Sequence, residues 1–273
     1  MTPEAFFKML KLLRPLDAEV AYLYTDLRAL VVTQSSWSKA AILSETLDVL
    51  LSLFPNIAIP TFTYTAQGEF NPDRTLTRLG ALNRYVQADP RSFTSSHPMF
   101  SYSAIGPRAE SMVHSVGTRA FGNESFFDQL DENCVFVHVG RPPELGNTMV
   151  HHIEALHEVP YRSEHFFSTR VLRSNAEDAR TFSAYMRTIE DVEQNRNSTD
   201  FRRAAALLVE TGVYRPVFMA SRFECLWVAR AREVASALSS MLSRDDEIFV
   251  QSSDRTREGG KHGRIKEENR TIH

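Results

Sequence analysis

The densest group of titratable side chains lies within residues 147–158, which hold three histidines and two glutamates. If this segment is helical, Thr148, His151 and Glu154 follow one another at intervals of three residues and share one ridge of the helix. His152 then points about 100° away from that ridge. The spacing therefore predicts that His151 and Glu154 form a pair.

A histidine beside a carboxylate can act as a general base. The carboxylate accepts one imidazole N–H and fixes the tautomer, so the other ring nitrogen can take a proton from a substrate near neutral pH. The residues alone leave an alternative open, because a surface helix on which His151 and Glu154 are merely solvated has the same spacing. The hydrophobic period also does not decide whether residues 148–157 form a helix or a loop.

Two other kinds of catalytic site have less support from the motifs. A zinc site of the HExxH type needs two histidines four residues apart, and His157 instead lies six residues after His151. We therefore predict no metal site, while metal-assisted hydrolysis through His151, Glu154 and His157 stays as an alternative. A Ser-His-acid hydrolase would show a GxSxG motif, which does not occur.

The composition limits the classes of partner. The chain has 273 residues, of which 42% are hydrophobic, and this suffices for a buried core. Its net charge of −3 lacks the basic excess of a nucleic-acid-binding protein. No apolar stretch approaches the ~18 residues of a membrane span, and the 2 cysteines suit a reducing compartment. We expect a cytoplasmic protein without nucleic-acid or membrane partners.

The elements that must position the histidine cluster alternate between strands and helices. The pattern predicts a helix that begins at Thr2-Pro3-Glu4, a strand over 20–24, a helix over 40–54 and a strand over 57–60. The last three elements form a β-α-β unit. Residues 61–103 show little periodicity and are predicted to form a long ordered loop of the kind that carries function.

We predict one domain over residues 1–250. Residues 251–273 include many charged and few large apolar side chains, so we expect a disordered polar tail. The second half of the domain contains shorter predicted elements. They are helices near 109–116 and 125–130, a strand over 135–139, a loop over 141–146, a helix over 204–210, a strand pair around Phe218 and 224–229, and a final helix over 234–242.

Several short segments, taken in order, resemble the aminoglycoside N(3)-acetyltransferase family over residues 20–230. Each segment alone is unspecific, and the order and spacing of all of them make the resemblance specific. The matching segments are Ile59 to Tyr64 (family pattern mPTFTY), Thr75 to Leu82 (TPSrvGaL), Arg91-Ser92 with His97 to Ser101 (RSxHPxxS), Ala104 to Gly106, Phe121-Gly122, Ser125 and Asn147 to Glu154 (NTxxHxxE).

This resemblance implies an α/β fold in which helices flank a mixed central sheet and a long functional loop leaves it. It implies transfer of an acetyl group from acetyl-coenzyme A to an amine of an aminoglycoside or amino sugar, an activity linked to antibiotic resistance. His151 would be the general base, Glu154 its orienting acid, and Thr148 a further catalytic residue. The residues implied in binding the cofactor or the small-molecule amine substrate are Tyr64, Arg91, Ser92, His97 and Asn147.

The chain departs from the family pattern at three places. Leu76 replaces a proline, four residues separate Ser92 from His97 where the family has one, and Asp26 lies in the turn that meets coenzyme A in the family. These departures motivate a second hypothesis, a non-catalytic member of the fold that acts as a binding protein. Candidate contacts for the coenzyme A phosphates are Arg74, Arg78 and Arg84, because guanidinium groups suit phosphate oxygens. A homo-oligomer is compatible with the sequence.

Overall fold

The structure is a computed structural model that describes residues 1–13, 17–28, 37–66, 68–173 and 176–251. The predicted tail lies outside the described residues from Ser252 onward. The single domain over residues 1–250 stays a prediction. Within the described ranges, no helix is long and apolar enough to cross a membrane.

A seven-stranded mixed sheet forms the centre of the fold, with the strand order β4-β5-β2-β1-β6-β10-β9. Strand β1 pairs in parallel with β2 and with β6, and the strands outside these three are antiparallel to their neighbours. The strands are β1 (Val20–Thr25), β2 (Asn56–Pro60), β3 (Gly68–Phe70), β4 (Phe93–Thr94), β5 (Tyr102–Ile105), β6 (Cys134–Val139), β7 (Ser163–Arg173), β8 (Ala176–Met186), β9 (Arg215–Met219) and β10 (Cys225–Arg230).

Helices cover both faces of this sheet, which confirms the predicted fold class. Alternate residues of β1 enter two separate cores: Ala21 and Leu23 pack with the helices on one face, while Tyr22 and Tyr24 pack on the other. The helices are α1 (Pro3–Leu10), α2 (Lys39–Leu53), α3 (Ala81–Ala88), α4 (Ala109–His114), α5 (Met149–Leu156), α6 (Ile189–Glu193), α7 (Arg202–Glu210) and α8 (Ala231–Leu242).

The elements with strong local signals lie where the sequence predicts them. Helix α1 begins after Thr2, whose hydroxyl accepts a hydrogen bond from the N–H of Ala5 (3.3 Å). The predicted β-α-β unit is present as β1, α2 and β2, with β1 and β2 parallel. Residues 125–130 contain only a 3-10 turn, Phe126–Gln129, in place of an α-helix. The uncertain segment 148–157 is helical, as α5.

The prediction of a long loop over residues 61–103 is wrong. This stretch contains β3, α3 and β4 and enters β5. Helix α3 has only 8 residues and buries a narrow face through Leu82 and Val86. Its hydrophobic pattern therefore covers too few residues to indicate a helix. Strand β4 has 2 residues and exists through its pairing with β5, which no local pattern reveals.

A second, three-stranded sheet with the order β3-β7-β8 has no counterpart in the sequence analysis. Its long hairpin pairs Ser163 with Met186 and Arg173 with Ala176. Most of the side chains along β7 are exposed or half-buried, so the strand lacks the apolar run that marks a buried strand. Strand β3 joins the hairpin in parallel from the segment that was predicted as loop.

Candidate active site

A cleft of ≈ 820 Å³ lies beyond the carboxyl ends of the parallel strands β1, β2 and β6. Tyr24 and Thr25 line it from the end of β1, Pro60 lines it from β2, and residues 144–148 line it on the way from β6 to α5. In open α/β sheets this edge is where ligands bind, because loops from several strands converge there.

Asn147 fixes the start of helix α5 against the sheet. Its Oδ1 atom accepts hydrogen bonds from the backbone N–H of Met149 (2.8 Å) and from the hydroxyl of Tyr24 (2.6 Å). Its amide nitrogen donates to the hydroxyl of Tyr214, which lies 3.1 Å from Nε2 of the buried His138. All these groups are buried, so each depends on the others for its hydrogen bonds.

His151 and Glu154 form the predicted pair across one turn of α5. The Nδ1 atom of His151 lies 2.7 Å from Oε2 of Glu154. The His151 side chain is 27% exposed and lines the cleft, whereas Glu154 is 0% exposed and lies behind it. Because Glu154 occupies Nδ1, the Nε2 atom is the ring nitrogen that remains for a substrate.

Arg162 contacts the same carboxylate oxygen from the segment that follows α5. Its Nε atom lies 2.6 Å from Oε2 of Glu154, and its side chain is 5% exposed. Burial alone would raise the pKa of Glu154, but the hydrogen bond from His151 and the positive charge of Arg162 outweigh burial and lower it. Glu154 is therefore ionised at neutral pH in spite of its burial.

Three cationic side chains, Arg28, Lys39 and Arg141, also line the cleft, and we call the part that they line its cationic end. Asp26 binds Arg28 through two atoms of its guanidinium, with Nε to Oδ1 at 2.9 Å, and so neutralises it. Among the described residues, no carboxylate forms an ion pair with Lys39 or Arg141. Burial lowers the pKa of Arg141, whose Nη2 atom donates to the carbonyl of Leu145. Two cations therefore remain to bind an anion.

Comparison with known proteins assigns the chain to a family. The pattern of the aminoglycoside 3-N-acetyltransferase family matches residues 51–243, which is more than half of the chain. The chain belongs to the aminoglycoside 3-N-acetyltransferase family. Members of this family are acyltransferases, and acetyl-coenzyme A is the co-substrate of their reaction. A comparison with curated proteins gave no match.

Solved structures of this family share the fold at low sequence identity. Aminoglycoside acetyltransferase AAC(3)-Xa has a TM-score of 0.72 and 16% identity, with 89% of this chain and 93% of that chain covered. AAC-IIIb, solved with CoASH, has a TM-score of 0.69 and 15% identity over 93% and 99% of the two chains. AAC-VIa, solved with sisomicin, has a TM-score of 0.68 and 17% identity over 89% and 98%.

The family motifs place four of the predicted site residues in the cleft. Tyr64, Asn147, Thr148 and His151 all line it. Tyr64 has a left-handed backbone conformation (φ 55°) and lies at the edge of an aromatic group with Phe62 and Phe100. Thr148 immediately precedes the first residue of α5 and lies one turn before His151.

Arg91 and Ser92, predicted as binding residues, do not reach the cleft. The guanidinium of Arg91 forms a two-atom pair with Asp89, with Nε to Oδ1 at 2.9 Å and Nη2 to Oδ2 at 2.7 Å. The backbone N–H of Ser92 donates to the carbonyl of the same Asp89 (2.9 Å). Both residues therefore belong to the turn after α3, and the four residues that follow Ser92 include strand β4.

His97 is also absent from the cleft lining and instead anchors a loop. Its Nδ1 atom accepts from the N–H of Phe100 (3.0 Å), and its Nε2 atom lies 3.1 Å from the carbonyl of Ser183 in β8. Burial lowers its pKa to about 4. A neutral ring with both nitrogens occupied ties the two sheets together and has no free atom for a ligand.

The third histidine of the cluster does not join the pair. His157 follows the end of α5, and its Nε2 atom lies 2.7 Å from the hydroxyl of Ser239 on α8. The ligand set proposed for metal-assisted hydrolysis therefore does not converge. Among the described residues, no group of three His, Cys, Asp or Glu side chains is arranged to hold a metal ion.

Sequence reasoning missed three residues of the site and misplaced the cationic end. Tyr24, Arg141 and Arg162 were not among the predicted site residues, because their partners lie on other elements. The predicted phosphate contacts Arg74, Arg78 and Arg84 do not line the cleft. Arg141 had a signal in the sequence, since it directly follows the glycine that ends strand β6.

Proposed function

We propose that this protein transfers the acetyl group of acetyl-coenzyme A to an amine of an aminoglycoside or amino sugar, with His151 as the general base and Glu154 as its orienting acid. The observation that carries the proposal is the His151–Glu154 pair, with its 2.7 Å contact, at the wall of the cleft. The relatives solved with CoASH and with sisomicin support the two substrate classes.

The cationic end of the cleft fits the phosphates of coenzyme A. Arg141 and Lys39 lie there without a carboxylate partner among the described residues, and Lys39 is the first residue of the 15-residue helix α2. A helix N-terminus and two cations together favour an anion. Because Asp26 neutralises Arg28, the anion contacts rest mainly on Arg141 and Lys39.

Acetyl-coenzyme A, when bound, supplies the acetyl group as a thioester with a thiolate leaving group. The chain must supply the base, because an ammonium has to lose a proton before its nitrogen can attack a carbonyl. The Nε2 atom of His151 accepts that proton, and Glu154 keeps Nδ1 protonated and directed inward. The departing thiolate is a weak base and needs little help from an acid.

Thr148 is our candidate donor to the oxygen that becomes negative during attack. The nearby backbone N–H groups are already used: Met149 donates to Asn147 Oδ1, Val150 to the Asn147 carbonyl, and His151 to the Thr148 carbonyl. Thr148 lines the cleft, as His151 does. One such preorganised donor is typically worth about 3 to 4 kcal/mol of transition-state stabilisation.

An acceptor screen tests the proposed function. Purified protein with acetyl-coenzyme A is incubated with aminoglycosides and, separately, with nucleotide-linked amino sugars, and free thiol is measured over time. We expect acceptor-dependent thiol release and a product that carries one added acetyl group. If calorimetry shows no binding of acetyl-coenzyme A to the folded protein, the transferase function is wrong and the non-catalytic hypothesis gains support.

A further inference from the structure

Arg162 is a buried cation that contacts the catalytic pair without lining the main cleft. Its Nε atom lies 2.6 Å from Oε2 of Glu154, and its Nη2 atom donates to the hydroxyl of Thr199 (2.9 Å), which does line that cleft. The residue lies just before strand β7, after the tight turn that follows helix α5.

The burial of Arg162 and Glu154 together needs an explanation. Both side chains are almost fully removed from water, at 5% and 0% exposure. A buried ion pair contributes little net stability, because the desolvation of two charges offsets their attraction. A functional role would explain why the desolvation penalty of this pair is retained. Here the same oxygen of Glu154 that contacts Arg162 also binds the ring of the proposed base.

We propose that Arg162 is a positioning residue for the reaction: it keeps the buried carboxylate of Glu154 ionised and oriented so that His151 presents its free nitrogen to the substrate. This inference rests on the proposed function. Arg162 acts through Glu154 and does not touch the reacting atoms. The ion pair joins the segment after α5 to Glu154 within the helix.

The proposal explains how Glu154 stays charged in a site closed to water. A buried carboxyl group without a cation would take up a proton, and the neutral group would accept the N–H of His151 only through a weaker hydrogen bond. A guanidinium group carries a permanent positive charge, so the contact of Arg162 favours the ionised form of Glu154 whether or not His151 carries a second proton. The titratable and charged groups around Glu154 are His151, Arg162, Tyr161 and Tyr185, and beyond them Glu158, Glu164, Arg187 and Asp246.

A merely structural role for Arg162 would have different consequences. The side chain would then tether the turn after α5 to Thr199, and its loss would lower stability without changing the protonation of Glu154. The two roles separate when the titration of the Glu154 carboxyl group is measured directly. This measurement does not depend on acetyl transfer, so it also separates a failure of this inference from a failure of the proposed function.

The first experiment compares Arg162→Met, Arg162→Lys and the control Arg203→Met, which removes a surface ion pair with Asp245. The carboxyl carbon of Glu154 is followed by NMR as a function of pH. We expect its midpoint to rise by at least about one pH unit, a tenfold change in proton affinity, in Arg162→Met. Arg162→Lys should fall between the wild type and Arg162→Met, and Arg203→Met should not differ from the wild type. An unchanged midpoint in folded Arg162→Met overturns the inference, and so does an unchanged midpoint in Arg162→Gln if Arg162→Met does not fold.

The acidic limb of the pH profile of kcat/KM should move in the same direction. We expect kcat of Arg162→Met to fall about 10- to 100-fold, as is typical for partners that orient a functional group, with KM for acetyl-coenzyme A nearly unchanged. A loss that appears only in KM contradicts the inference. If the wild-type protein shows no transfer but the Glu154 midpoint still moves, the positioning role holds and the proposed function fails.

Chemical rescue gives an independent test, because Arg162 also lines a second cavity of ≈ 650 Å³. Arg162→Ala opens space that a guanidinium ion can reach from that cavity, where Glu124 and Glu158 attract cations and Glu164 is paired with Arg119. We expect methylguanidinium to restore part of kcat in Arg162→Ala and to have no effect on Arg203→Met. Rescue of thermal stability without rescue of kcat would assign Arg162 a structural role only.

Discussion

His151 and His152 are adjacent in the chain but lie in different surroundings. His151 faces the cleft and binds Glu154, whereas His152 is buried, with its Nδ1 atom 3.3 Å from the hydroxyl of Ser125. Burial lowers the pKa of His152 to about 4. Only His151 combines access to the cleft with an orienting carboxylate, so the helix assigns different roles to two identical side chains.

Replacement of His151 should abolish acetyl transfer and leave coenzyme A binding intact. We expect kcat of His151→Ala to fall about 10²- to 10⁴-fold, the range typical for a general base. Thiol release gives the rate, and calorimetry with CoASH gives the affinity. His157→Ala, just after the same helix, is the matched control, because His157 binds Ser239 and does not line the cleft. Unchanged turnover of His151→Ala would reject its role as base.

Asn147→Ala should lower both stability and activity. The change leaves the Tyr24 hydroxyl and the Met149 N–H without their buried acceptor, at a cost of about 1 to 3 kcal/mol in the free energy of unfolding. Urea unfolding measures this loss. Tyr214→Phe is a milder comparison, since Asn147 then keeps its contacts with Tyr24 and Met149. A loss below about 0.5 kcal/mol in Asn147→Ala would show that Asn147 does not hold the start of α5.

Arg141→Gln should weaken the binding of CoASH about tenfold or more. A charge-assisted hydrogen bond to phosphate is worth about 1.5 to 3 kcal/mol, and Arg141, although the charge of Asp26 acts on it, forms no ion pair with a carboxylate among the described residues. Arg74→Gln is the control, because Arg74 is exposed and away from the cleft. Calorimetry at two salt concentrations should show a weaker salt dependence for Arg141→Gln than for the wild type. Equal effects of both substitutions would refute the proposal that the cationic end of the cleft binds the phosphates of coenzyme A.

Stability should fall as the pH is lowered from about 6.5 to about 4. Burial lowers the pKa of His97 to about 4, of His138 to about 3 and of His152 to about 4. In this window the unfolded chain binds protons that the folded chain does not, so each histidine contributes a slope on the order of 1 kcal/mol per pH unit. Urea unfolding between pH 7 and 5 measures the slope. His97→Gln should reduce it, while the exposed His114→Gln should leave it unchanged.

Local sequence patterns determined the parts of the protein that depend on neighbours in the chain. The Thr2 cap predicted α1, the apolar runs of β1 and β2 with the stripe of α2 predicted the central β-α-β unit, and a further apolar run predicted β6. The three-residue interval between His151 and Glu154 predicted their contact, because one helical turn brings such residues together. Family resemblance supplied the expected fold and the reaction class.

Only the tertiary structure decided which distant side chains share the site. Arg162 meets Glu154 because the turn after α5 reverses the chain, and Arg141 enters the cleft because β6 ends beside β1. Arg91, Ser92 and His97 match the family motif in sequence but lie outside the cleft. Arg91 binds Asp89, and His97 contacts the carbonyl of Ser183. The hairpin of β7 and β8 also escaped prediction, since pairing across a sheet depends on partners that periodicity within one segment does not report.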